Sequence, residues 1–199
     1  MKKILLSGIL SVIVLSVGLA LDIHMGDTTQ LRAKPIYGKE ARIIAFILDN
    51  NHYRKISLND SLSAVILTEY IKSLDNNKTY FTASDLAGFD RYKFLIDDFT
   101  RAGNVDIAYE VYGLFRKRFD ERMAYVLENL VANEFDYSLD EVYQTDRDKE
   151  PWCKDEKALN EVWRKIIKSQ ALSLKLAGKP QPEIEKTLRD RYVRLSKSI

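Results

Sequence analysis

The sequence predicts an all-α fold: a single multi-helix domain after an N-terminal signal segment. Three observations predict it. Apolar residues recur at three- and four-residue steps from Glu40 nearly to the end, no stretch alternates with period two, and helix-start signatures punctuate the chain. With 199 residues, 46% hydrophobic and 30% charged, the chain is long enough for one well-cored domain and short for two.

The first residues read MKKILLSGILSVIVLSVGLALD. Lys2 and Lys3 precede an apolar run over residues 4–21, and Gly18 and Ala20 are the small residues of a cleavage site. This is the layout of a secretory signal peptide over residues 1–20. The run is also just long enough to stay in the bilayer as an uncleaved anchor. On either reading the rest of the chain is expected outside the cytoplasmic membrane. Residues 21–39 are polar and aperiodic, with Gly26, Pro35 and Gly38, and read as a flexible lead-in to a helical domain over residues 40–199.

The first helix of that domain carries Ile43, Ile44, Ile47 and Leu48 as its stripe and fades at Asn50 and Asn51. The second carries Leu62, Val65, Ile66, Tyr70 and Leu74, with Ser57 and Asp60 as an S-x-x-D capping box. Phe89, Tyr92, Leu95, Ile96 and Phe99 mark a third, ended by Gly103. The fourth, over residues 106–133, is the longest, a strut of ~40 Å at 1.5 Å per residue. Its RKRFDER centre reads as a solvated, self-neutralising face, with Arg116 opposite Asp120 and Lys117 opposite Glu121 at i,i+4. Ser138 and Glu141 suggest a short helix. Asp155 opens a longer one through Leu159, Trp163, Ile167 and Leu176, closed by Gly178. Pro180 and Pro182 start the last, with Ile184, Leu188, Tyr192 and Leu195 on one side. Its stripe runs out at Leu195 and Ile199, leaving apolar surface open to association.

Composition argues against several functions. Lys plus Arg is 31 and Asp plus Glu is 29, so without Lys2 and Lys3 the charges balance, which does not fit a nucleic-acid partner. Cys153 is the single cysteine, and His24 and His52 are the two histidines. These residues form no disulfide framework, thiol–imidazole motif or metal set, and Cys153 reads as a small core hydrophobe. The chain lacks a G-x-S-x-G elbow, S-x-x-K, H-E-x-x-H and a phosphate-cradling glycine loop.

One stretch invites a calcium reading: YIKSLDNNKTYFTASDL, residues 70–86. With Asp75 as position 1, Asn77 and Thr79 could supply oxygens. Tyr80 stands where the loop needs glycine, however, and Leu86 where it needs a bidentate glutamate. The stretch reads better as a corner. Asp75, Asn76 and Asn77 break one helix, Thr82 and Asp85 cap the next, and Tyr80 and Phe81 wedge into the core. DRDKEPW, residues 146–152, reads as Arg147 anchored by acids beside an aromatic plug. Asp97 and Asp98, adjacent on a helix, point about 100° apart and cannot share a proton. No catalytic, cofactor-binding or metal residue is assigned, and no cofactor is expected.

HYRKISLNDSLSAVILTEYIKSLDNNKTYFTASDL, then DRDKEPW, then LNEVWRKIIKSQALSLKLAGKPQPEIEKTLRDRY resemble the N-terminal helical domain of the tail-specific, or carboxy-terminal-processing, serine proteases. The resemblance runs in order over residues 40–192. It implies a periplasmic protein whose parent captures apolar C-terminal tails with a PDZ module and cuts with a serine activated by a lysine. It also implies that the helical domain is not catalytic. This domain is expected to help wall the substrate cavity and to meet the PDZ and protease portions, substrates with apolar C-termini and an envelope adaptor protein. No residue here matches the catalytic serine or lysine. Two other readings compete: a free-standing exported interaction protein or protease regulator, and an enzyme with an unfamiliar site, which the scarcity of His and Cys argues against.

Overall fold

The structure, a computed structural model, describes residues 31–54 and 57–199. The expected signal segment and most of the lead-in lie outside the described residues. Among those described there are seven α-helices and no strand: α1 Pro35–Asn51, α2 Asp60–Leu74, α3 Ala83–Phe89, α4 Ile96–Ala102, α5 Asp106–Asn129, α6 Glu156–Leu176 and α7 Gln181–Ser196.

The axis of the fold is α5. Ile107, Val111, Phe115, Phe119, Met123, Val126 and Leu127 step along it at three- and four-residue intervals and are all buried. α6 and α7 form an antiparallel pair through a turn at Gly178, whose φ of 81° suits glycine. They lay Leu159, Trp163, Ile167 and Ala171, and Ile184, Leu188 and Tyr192, into one core with α5. Burying each large apolar side chain contributes about 1.5–3 kcal/mol, so this three-helix contact dominates the stability. Leu195 packs partly against the core, while Ile199 remains exposed.

Caps set several boundaries. Asp155 accepts the Ala158 amide at 2.8 Å, and Thr82 and Asp85 form a reciprocal capping box at the start of α3. Gly103, at φ 73°, ends α4. The start of α2 departs from expectation. Asn59, not Ser57, is its N-cap and accepts the Leu62 amide at 3.0 Å. The expected third helix is two short ones, α3 and α4, separated by a 3-10 turn at Asp90–Tyr92. α5 stops at Asn129, and residues 132–155 contain no helix. Ser138 turns its amide and hydroxyl onto Asp136 instead of capping, because the two-residue Asx turn competes with helix initiation.

α1 differs most. It begins at Pro35, a favourable first position, five residues before the expected start. Its seat on α4 is made by Gly38, Ala41 and Ala45, so Ile43, Ile44 and Ile47 point outward. The seam is backbone on backbone. A Cβ on Gly38 would stand 2.4 Å from the Gly103 carbonyl oxygen. Arg42 Nη1 donates to the Ala102 carbonyl at 3.2 Å beside it. Further along, Asp49 accepts the Leu58 amide at 3.0 Å and pairs with Arg101 at 3.1 Å. Arg101 also grips Asp97, and the Ser63 hydroxyl donates to Asp97 at 2.8 Å. Thus α4 is the tie between α1 and α2. Gly38→Ala is expected to push α1 off α4 while leaving the α5–α7 core intact. Amide exchange should then rise over residues 35–51 and stay slow along α5; uniform protection in both would refute the seam.

Candidate functional site

The corner after α2 is built around one carboxylate. Asp75 is 3% exposed and accepts the amides of Thr79 at 2.8 Å, Tyr80 at 2.8 Å and Phe81 at 2.9 Å. Burial raises its pKa above the usual carboxylate range against the pull of those amides. Both oxygens are occupied by the backbone, so neither is offered to a cation.

Inside the turn, Lys78 adopts φ 53°, the one non-glycine positive φ among the described residues. Its ammonium donates to the carbonyls of Asp148 at 2.5 Å and Glu150 at 2.6 Å and lies 5.6 Å from the Trp152 ring centre. The expected anchor of DRDKEPW is therefore corrected. The cation that the segment grips is Lys78, from the corner. Arg147 reaches only the Cys153 sulfur, at 3.8 Å, and its Nε has no hydrogen-bond partner. Lys72 adds an ion pair to Asp148 at 3.1 Å. Trp152 does act as the plug, meeting Phe81 at 6.3 Å between ring centres.

Tyr80 and Phe81 wedge inward as the sequence suggested. Tyr80 touches the rings of Phe115, Phe119 and Trp163, and Phe81 those of Phe89 and Phe115. Trp163 donates its indole N–H to the Thr79 carbonyl at 2.7 Å. The corner thereby joins α2, α5 and α6.

The middle of α5 is not the solvated face that its pattern suggests. Lys117 does pair with Glu121, at 3.9 Å. Asp120, however, is buried, and burial pushes its carboxyl upward. Arg122 is buried too, bonded to Asn160 and stacked near Tyr125. Arg118, unremarked in the sequence, crosses to Asp85 at 2.7 Å and to Glu121 at 2.9 Å. Burial alone would raise Asp85, but Arg118 and the Thr82 bonds hold it below its ordinary value.

A second clamp fixes the irregular stretch onto α6. Glu141 accepts from Arg164 and Lys168, which hold its carboxyl at about 2. A local capping pattern concealed this pairing, whose partners lie 23 and 27 residues away.

Beside the corner runs an open groove of about 420 Å³. Its floor is Leu67, Ile71, Leu86, Phe89 and Trp152, and Glu69, Asp90 and Lys93 stand on its rim. Lys72 and Asp148 also line it, so the groove is an apolar floor with charged edges of both signs. Cys153 is 8% exposed, and burial raises its thiol pKa, the opposite of an activated nucleophile. No group of three or more His, Cys, Asp or Glu that could hold a metal occurs among the described residues.

Two outcomes test this geometry. Asp75→Ala should strand three buried amides and lower the unfolding free energy by about 3 kcal/mol or more, with Asp75→Asn losing less; urea denaturation at neutral pH measures both. Glu141 has its folded pKa depressed from 4.5 to about 2, so its contribution is present above pH 4.5 and is lost as pH falls through that window. The melting-temperature gap between the natural chain and Glu141→Gln should therefore close between those pH values. A gap that stays constant contradicts the clamp.

The family model described as "Tail specific protease N-terminal domain" matches residues 44–199. A tail-specific protease of Haemophilus influenzae is 34% identical over 146 residues, which is 73% of this chain and 21% of the relative. The chain thus spans about a fifth of the length of that protein. From the Thr82 and Asp155 caps to the Tyr80–Phe81 wedge, the corner and its helices lie within the matched residues, and the chain belongs to the tail-specific protease N-terminal domain family.

Proposed function

We propose that this chain is the non-catalytic helical module of a periplasmic tail-specific serine endopeptidase that degrades or processes envelope proteins by their C-termini. In this reading the module helps enclose the substrate and offers docking surface. Its partners are the PDZ and protease portions, substrates with apolar C-termini and an envelope adaptor. The family match over residues 44–199 carries the proposal. The use of the buried polar groups supports it: Asp75, Asp85 and Asp97 each fasten one helix or turn to another. Lys2 and Lys3 ahead of the apolar run over residues 4–21 support export.

The chain alone should leave a reporter protein with an apolar C-terminus uncut. When mixed with a family PDZ–protease polypeptide lacking its helical domain, it should co-elute as a larger species and speed cleavage of the reporter. Cleavage by the purified chain itself, lost on a single substitution within it, would overturn the architectural role, as would a failure to associate.

A further inference from the structure

Between α5 and α6 the chain runs as a strap along one side of α6. Residues 136–146, DYSLDEVYQTD, form no helix, and none of them is buried. Leu139 is 57% and Val142 79% exposed, so the aliphatic side chains of the strap face solvent. Among the described residues no backbone–backbone hydrogen bond ties it to a helix. A space of about 240 Å³ stays open between strap and helix, lined by Tyr137, Val142 and Tyr143 on one side and Lys165, Lys168 and Leu172 on the other. Close packing therefore contributes little to its attachment.

Charge holds it instead. The strap carries Asp136, Asp140, Glu141 and Asp146 and no lysine or arginine. α6 meets it with basic side chains. Arg164 and Lys168 both pair with Glu141, Lys165 donates to the Val142 carbonyl at 3.3 Å, and the Lys175 ammonium lies 4.7 Å from the Tyr137 ring centre. The two ends are fixed by other means. Phe135 packs against the core, and beyond residue 146 the Lys78 ammonium holds the carbonyls of Asp148 and Glu150.

We infer that residues 136–146 are an electrostatic latch, bolted at Glu141, that swings open about its two ends while the helices stay folded. A segment with no buried side chain and no backbone bond to its support opens at a free energy below that of global unfolding. Opening turns Leu172 and Lys168, only 9% exposed when the latch is shut, towards solvent. The latch thus governs when α6 offers a basic surface. The inference rests on this geometry and not on the proteolytic reading.

The test uses the full chain with Cys153→Ala and spin labels at Val142→Cys and Lys186→Cys, both exposed positions. Electron paramagnetic resonance then reads the distance from the strap to α7. At low salt one narrow distance is expected. In ~1 M salt, which screens charges beyond about 3 Å, a second and longer distance should appear. Glu141→Gln should produce the same second distance at low salt, raising the open population roughly tenfold. A control pair, Lys157→Cys with Lys186→Cys, joins α6 to α7 and should keep one distance throughout, with circular dichroism unchanged. The inference is overturned if the strap distance stays single in both salt and the variant. It is equally overturned if the control pair broadens in step, because the helices then loosen together, or if salt opens the strap and Glu141→Gln does not, because the bolt then lies elsewhere.

Discussion

The buried carboxylate of Asp75 is the constraint on which the fold hangs. A polar chain must leave α2, reverse and enter α3 without stranding its amides in an apolar interior, and three of those amides close on this one side chain. With the backbone thus satisfied, Tyr80 and Phe81 can be driven into the aromatic cluster of α5 and α6. Trp163 then completes the arrangement by bonding the carbonyl of Thr79. Desolvating the carboxylate is unfavourable, as its raised pKa records, and the amides and the buried rings offset that cost. Lys78 holds an uncommon backbone conformation for the same reason: its ammonium is fixed from outside by two carbonyls of the later segment.

Much of this was legible in the residues where the cause is local. The Thr82–Asp85 box, Asp155 at the head of α6, Gly178 after it, and the unbroken apolar period of α5 each declare themselves within a turn or two. What stayed hidden depends on distance or on size. Charge pairs at i,i+4 suggested Arg116 with Asp120, but Arg118 found Asp85 33 residues away and Arg101 found Asp49 52 residues away. A hydrophobic stripe reports greasiness, not fit. α1 sits on α4 by its smallest residues because only they let two backbones approach, so its isoleucines marked the wrong face. Asp146 and Asp148 made Arg147 look anchored, whereas carbonyl groups, which no residue code displays, captured a lysine instead.

The candidate site shows the same division. The absence of motifs from the sequence left no assignment to make, and the structure adds a groove with an apolar floor and charged edges. Its ionisable groups are displaced from their ordinary values by the work of fastening. Glu141, Asp85 and Asp97 are held low by arginine, lysine and hydroxyl partners that join separate stretches. Perturbed groups often flag catalysis; here the partners that shift Glu141, Asp85 and Asp97 are the same side chains that join separate stretches of the chain.

The bond from Trp163 to the carbonyl of Thr79 spans 84 residues, and the grip of Lys78 on the segment before Trp152 spans 70 and 72. A polypeptide synthesised from its N-terminus therefore delivers the turn long before the groups that lock it. Until residue 163 emerges, Tyr80 and Phe81 have no complete pocket and remain sticky. The order of emergence thus imposes a waiting period, during which the very residues that later become the innermost stay open to solvent.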